Sequence, residues 1–233
     1  MVTTELIDAI RSRLRDAADP GRAAAAQAYM KSQMPFLGVR VPEVRRIVKA
    51  AAAEHPPGSI EELQSAVFGL WRHACCREER YAAIELTGLK SAARELSMLA
   101  VYEEIIRTGA WWDLVDGVAH RLGALLQAHR EELTPVLGRW SRDQDFWIRR
   151  ASITAQLGAK AATDTALLAA VIEANLGDQE FFIRKAIGWA LRQYARTDPD
   201  WVRTFVQRHW DRLSPLSRKE ALRNLDAGHN APR

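Results

Sequence analysis

Segments of this chain recur at a constant spacing of 35 residues. "DFWIRRASI" (145–153) and "EFFIRKAIG" (180–188) match closely, with aromatic, basic and small residues in the same order. One step back brings "WWDLVDGVA" (111–119) into the same frame, Trp112 aligning with Trp147, and another reaches "REERYAAIEL" (77–86). A weaker fifth copy is "SRKEALRNL" (217–225). One helix pair with its turns fills about this length, so the period predicts helical hairpins, each burying its apolar face against the next.

Almost every segment between breakers carries helical periodicity, and no stretch alternates convincingly with a period of two. Leu6, Ile10 and Leu14 form one stripe, with Thr3 or Thr4 as its cap. Pro42 stands at a first-turn position, where its missing N–H costs nothing. Ser59 and Glu62 have capping-box spacing. Breakers at Asp19-Pro20-Gly21, Pro56-Pro57-Gly58, Gly109, Asp198-Pro199 and Ser214-Pro215 divide the chain into about a dozen helices. The expected fold is all-α, a superhelix (solenoid) of HEAT-like helical repeats. The alternative is an irregular helical bundle with chance similarity, against which the ordered residue types speak. A single domain is expected over 1–226, followed by a frayed tail over 227–233.

A chain of 233 residues with 48% apolar content can build a sizeable core. Its net charge is +4 and its pI about 9.3, which permits an anionic partner without requiring one. Cys75 and Cys76 are adjacent and have no other cysteine to pair with, which points to a reducing, cytoplasmic setting. The charged N-terminal stretch lacks the apolar core of a secretory signal, and no apolar run approaches the roughly 20 residues that span a bilayer.

In the 35-residue frame Arg80, Val115, Arg150 and Lys185 are equivalent, so stacked copies would set a basic row along one surface. Lys185, Trp189, Arg192 and Arg196 extend it along one face of a helix expected over 179–196. Cations a helix pair apart, with a tryptophan among them, suit a phosphate backbone and its bases. A solvated charged face remains the ordinary explanation for any one of them. Trp112 and Asp116 share a helix face, whereas Asp113 turns away by about 100°. Trp111 and Asp113 therefore fall to packing and helix entry, leaving Trp112 and Asp116 for a ligand. A carboxylate among aromatic rings can stabilise positive charge on a sugar, although tryptophans at such positions are more often core.

These residues resemble the AlkD-type alkylpurine DNA glycosylases, which are built from HEAT-like repeats. The resemblance runs along nearly the whole chain and is carried by "AYMKSQMPFLGVRVPEVR" (28–45), "WWDLVD" (111–116), "WIRRA" (147–151), "EFFIRKAIGWALRQYARTDP" (180–199) and "PLSRKEALRNL" (215–225). It implies a monofunctional DNA repair enzyme of base excision repair. Such an enzyme hydrolyses the N-glycosidic bond of cationic N3- or N7-alkylated purines in duplex DNA held in a concave basic groove. It implies Asp116 as the catalytic aspartate, Trp112 and Trp189 as its aromatic partners, Arg150 as a phosphate contact and Tyr29 as a groove-lining tyrosine. Lys185, Arg192 and Arg80 join the DNA-contacting set through the basic row. The resemblance calls for no metal and no cofactor, for action on a lesion left stacked, and is compatible with a monomer. His73, Cys75 and Cys76 are ascribed to helix packing. Two other classes compete: a non-catalytic HEAT-repeat protein that binds DNA structures, and a scaffold whose basic row meets an acidic protein.

Overall fold

The computed structural model describes residues 2–225, and the tail expected over 227–233 lies outside them. Thirteen α-helices and one short 3-10 turn (Lys160–Ala162) occupy the described residues, which contain no strand. The all-α, helical-repeat expectation holds. The chain divides into two compact units, residues 1–105 and 106–233.

The first unit contains α1 (Val2–Asp16), α2 (Pro20–Met30), α3 (Val41–Glu54), α4 (Ile60–Arg72) and α5 (Arg77–Leu86). Helix α1 packs on α3 and α4, and both of those pack on α5. The stripe Leu6, Ile10 and Leu14 is fully buried there, each side chain contributing about 1.5–3 kcal/mol. Thr3 and Thr4 fall inside the first turn of α1 rather than ahead of it, because the helix is already under way at Val2. Pro42 does sit in the first turn of α3. Ser59 caps α4 by accepting the Glu62 N–H at 3.3 Å, but Glu62 reaches back to the Gly58 N–H (2.8 Å) rather than to that of Ser59.

Helix α2 is different, for it buries none of its residues. It is anchored at its start: Asp19 caps the Arg22 N–H at 3.0 Å and donates its own N–H to the Leu37 carbonyl at 2.8 Å. Gly38 lies beneath it at φ 82°, and a side chain there would put its Cβ 2.2 Å from the Asp19 carbonyl oxygen. The same loop is held from the other side by Glu78, which is fully buried and accepts the N–H groups of Leu37 (2.9 Å), Gly38 (2.8 Å) and Val39 (3.1 Å). Helix α6 (Met98–Gly109) carries the boundary between the units.

The second unit holds α7 (Trp112–Ala128), α8 (Arg130–Trp140), α9 (Phe146–Thr154), α10 (Thr165–Glu173), α11 (Phe181–Tyr194), α12 (Pro199–Arg208) and α13 (Pro215–Leu222). Here the 35-residue frame becomes geometry. Helices α7, α9, α11 and α13 pack side by side in one layer, while α8, α10 and α12 back them as the second helices of successive hairpins. Equivalent residues perform equivalent local tasks. Asp143 accepts the Asp145 N–H (2.9 Å) and Asp145 the Trp147 N–H (2.8 Å); one repeat later Asp178 accepts the Glu180 N–H (2.8 Å) and Glu180 the Phe182 N–H (3.3 Å). Each of these carboxylates supplies an acceptor to an N–H that helical bonding leaves open. The bends are tied to neighbours by charge: Arg107 pairs with Asp143 (2.8 Å) and Arg149 with Asp178 (2.8 Å).

Candidate functional site

The entrance to α7 is set by Trp111, whose extended backbone (φ −154°, ψ 145°) precedes the first helical residue, Trp112. Trp111 packs as expected, its ring centroid 6.3 Å from that of Trp147 and 5.7 Å from that of Phe182. Trp147 and Phe182 are themselves 4.8 Å apart, so one aromatic residue from the start of each of three adjacent helices meets in one cluster. Asp113 lies in the first turn, where a carboxylate complements the positive end of the helix. These contacts fix how α7, α9 and α11 start relative to one another, and therefore where the residues one turn later come to lie.

One turn into α7 stands Asp116, and one turn into α9 stands Arg150. The guanidinium grips the carboxylate with two parallel bonds, Nε to Oδ1 at 2.8 Å and Nη2 to Oδ2 at 2.7 Å. Its remaining arm donates from Nη1 to the Phe182 carbonyl at 2.6 Å, in the first turn of α11. The pair is largely enclosed, with side-chain exposures of 6% for Arg150 and 18% for Asp116. Arg150 is therefore not the open surface cation that the repeat register implied. Position 150 aligns with Val115, next to Asp116, so stacking the helices delivers the guanidinium onto the neighbouring carboxylate. Fork-on-fork geometry of this kind orients the carboxylate in a single plane and strengthens both bonds.

Helix α11 carries Lys185, Trp189 and Arg192, all half-buried. It ends at Tyr194, so Arg196 lies beyond it and does not extend its face. Lys185 and Arg192 are paired as well. Glu220 of α13 places Oε2 3.5 Å from Lys185 Nζ, and its Oε1 accepts a hydrogen bond from Arg192 Nη1. Sequence reasoning missed Glu220, although the fifth copy of the repeat places it in the same register as Arg150 and Lys185. Two features let it reach α11. Position 188 is glycine, where a Cβ would lie 2.6 Å from Glu220 Cβ, and Ser217 donates its hydroxyl to the Arg184 carbonyl at 2.8 Å.

The structure thus joins Asp116 to Arg150, and Lys185 to Arg192 through Glu220. Trp112 and Trp189 are half-buried on α7 and α11 of the same layer. Tyr29 and Arg80 belong to the first unit. Tyr29 is 74% exposed near the end of α2, and Arg80 sets its guanidinium 4.8 Å from the Trp71 ring centroid, a cation–π contact. Of the residues ascribed to packing, Cys76 is buried, and burial pushes its thiol up to about 11; Cys75 is exposed. No helix among the described residues is long and apolar enough to cross a membrane.

Comparison with known proteins bears on the family and the fold. Residues 10–225 match the family described as DNA alkylation repair enzyme. A solved structure described as a predicted DNA alkylation repair enzyme from Enterococcus faecalis superposes with a TM-score of 0.81 and 32% sequence identity, over 89% of this chain and 96% of that one. No curated protein matches. With its helical repeats and the family match spanning all but its two ends, the chain belongs to the DNA alkylation repair enzyme family.

Proposed function

We propose that this protein is a monofunctional DNA glycosylase that releases cationic N3- or N7-alkylated purines, such as 3-methyladenine and 7-methylguanine, from duplex DNA, initiating base excision repair. The observation that carries this reading is the enclosed Asp116 carboxylate, aimed by Arg150 on the helix layer that also bears Trp112, Trp189 and the cations of α11. In this reading residues 1–226 act as one HEAT-like glycosylase domain, working as a monomer at the nucleoid in the cytoplasm.

An alkylated purine already carries positive charge and departs as a neutral base when its bond to C1′ breaks, with the bonding electron pair leaving on nitrogen. The deoxyribose is left with oxocarbenium character, which a fixed carboxylate stabilises more in the transition state than in the ground state. Asp116 supplies that charge and orients the water that adds to C1′, whose proton passes to solvent. Trp112 and Trp189 offer their ring faces to the cationic sugar. Arg150 holds the carboxylate and adds a contact to a phosphate, while Lys185, Arg192, Arg80 and Tyr29 contact the DNA. No acid is required at the leaving group, because the alkylated base departs neutral.

The test is release of 7-methylguanine from methylated duplex DNA under single-turnover conditions, with products identified by mass. Wild-type protein releases the base, and Asp116→Asn slows release by about 10²-fold or more while retaining DNA affinity. A second reading draws on the same pair: both Asp116 oxygens are occupied by Arg150, as they would be in a structural ion pair of a non-catalytic DNA-structure-binding protein. Wild-type protein that binds duplexes but releases no base decides for that reading.

A further inference from the structure

We infer that Glu220 tempers the protein's affinity for duplex DNA: in the free protein its carboxylate stands in for a DNA phosphate between Lys185 and Arg192, and so weakens sequence-independent binding. The inference rests on the DNA-binding reading above.

Lys185 and Arg192 lie four residues before and three after Trp189, so the three side chains share one face of α11. Glu220 meets both cations from α13, with one carboxylate oxygen for each. Its side chain is 13% exposed, against 40% for Lys185 and 24% for Arg192, so the carboxylate sits behind the cations, which remain open to an incoming anion. Glu220 is not a loose surface partner. Its backbone is held by the close approach at Gly188 and by the bond from the Ser217 hydroxyl to the Arg184 carbonyl. Two cations and one carboxylate leave a net charge of +1 at this point of the layer, where the α11 residues alone carry +2.

The consequence for DNA follows from counterion release. Each phosphate neutralised by a protein cation adds about 0.9 to the slope of log affinity against log salt. A cation that must give up an internal carboxylate to meet a phosphate contributes less than that full amount. Sequence-independent attraction is thereby reduced beside Trp189. Glu220 touches none of the reacting atoms; it acts through Lys185 and Arg192.

The experiment measures affinity for a short fluorescent undamaged duplex across a salt series, for wild type and for Glu220→Gln, which keeps the side-chain volume and removes the charge. Glu220→Gln is expected to bind more tightly at low salt, with a steeper slope. For each cation released its advantage shrinks by about 3.5-fold between 50 and 200 mM salt. Adding Lys185→Ala should lower the slope by about 0.9 in the Glu220→Gln background and by less in wild type. Equal or weaker binding by Glu220→Gln with an unchanged or shallower slope overturns the inference, since that is what a purely structural contact would give. Should Glu220→Gln fail to fold, Lys185→Ala alone decides: a full loss of about 0.9 in wild type shows that Lys185 was never restrained. Wild-type protein that binds no duplex at any salt would instead refute the DNA-binding reading itself.

Discussion

Arg150 and Asp116 come from neighbouring helices 34 residues apart, yet they form a two-pronged ion pair at 2.8 and 2.7 Å. Every Arg150 nitrogen has a partner, the third being the Phe182 carbonyl at 2.6 Å. The pair therefore ties α7, α9 and the start of α11 together. On the proposed function, positioning the catalytic carboxylate and holding the helices in register are the same contact.

Removing the guanidinium should accordingly cost stability. Arg150→Ala leaves the Asp116 carboxylate largely enclosed without its counter-charge, and about 3 kcal/mol is expected to be lost in urea denaturation. The double variant Arg150→Ala, Asp116→Asn should lose much less than the sum of the two single changes. Additive losses would show that the two side chains do not depend on each other. On DNA, Arg150→Ala is expected to weaken binding to lesioned and undamaged duplexes by similar factors, as a phosphate contact requires.

The buried carboxylate of Glu78 offers a second measurement. It accepts three successive backbone N–H groups from residues 37–39, the loop that carries α2 and with it Tyr29. Glu78→Gln replaces one acceptor oxygen with an NH₂ group that cannot accept, while leaving the volume unchanged. A loss of about 3 kcal/mol is expected, together with faster amide exchange at Leu37, Gly38 and Val39. Exchange that stays slow at all three would mean that the loop is held by something other than this carboxylate.

Acid stability should report the Arg107–Asp143 and Arg72–Glu104 ion pairs. The Arg107 side chain, through its hydrogen bonds, holds the Asp143 carboxyl below its ordinary value of 3.8, and Arg72 does the same for Glu104 relative to 4.5. A depressed carboxyl binds fewer protons folded than unfolded, so its contribution is present above the unfolded value and is lost as pH falls through the folded one. Stability should therefore drop from about pH 5 downwards. Asp143→Asn, less stable at neutral pH, should show a shallower drop over the same range. Parallel curves for the two proteins would assign the acid sensitivity elsewhere.

Much of the fold was legible in the residues themselves. The spacing of "DFWIRRASI" and "EFFIRKAIG" marks α9 and α11 as equivalent, and the aromatic cluster and the paired caps at Asp143 and Asp178 are what that equivalence becomes in three dimensions. The stripe Leu6, Ile10 and Leu14 follows from helical periodicity alone, and so does the separation of Trp112 and Asp116 from Asp113. These are relations within one helix or between copies of one pattern, and local geometry dictates them.

The partners of the charged residues were decided only in the tertiary structure. Periodicity set Arg150 and Lys185 in one row, but whether a row of cations faces water or carboxylates depends on the offset between stacked helices. That offset brings Asp116 under Arg150, and the close approach at Gly188 brings Glu220 under Lys185 and Arg192. Glu78 went unnoticed for the same reason, because its three partners lie about forty residues away in a loop without period. A one-dimensional pattern records which face a side chain takes. How closely two helices approach, and which atoms then meet, is settled by packing across the interface, where the absence of a single Cβ is enough to select the partner.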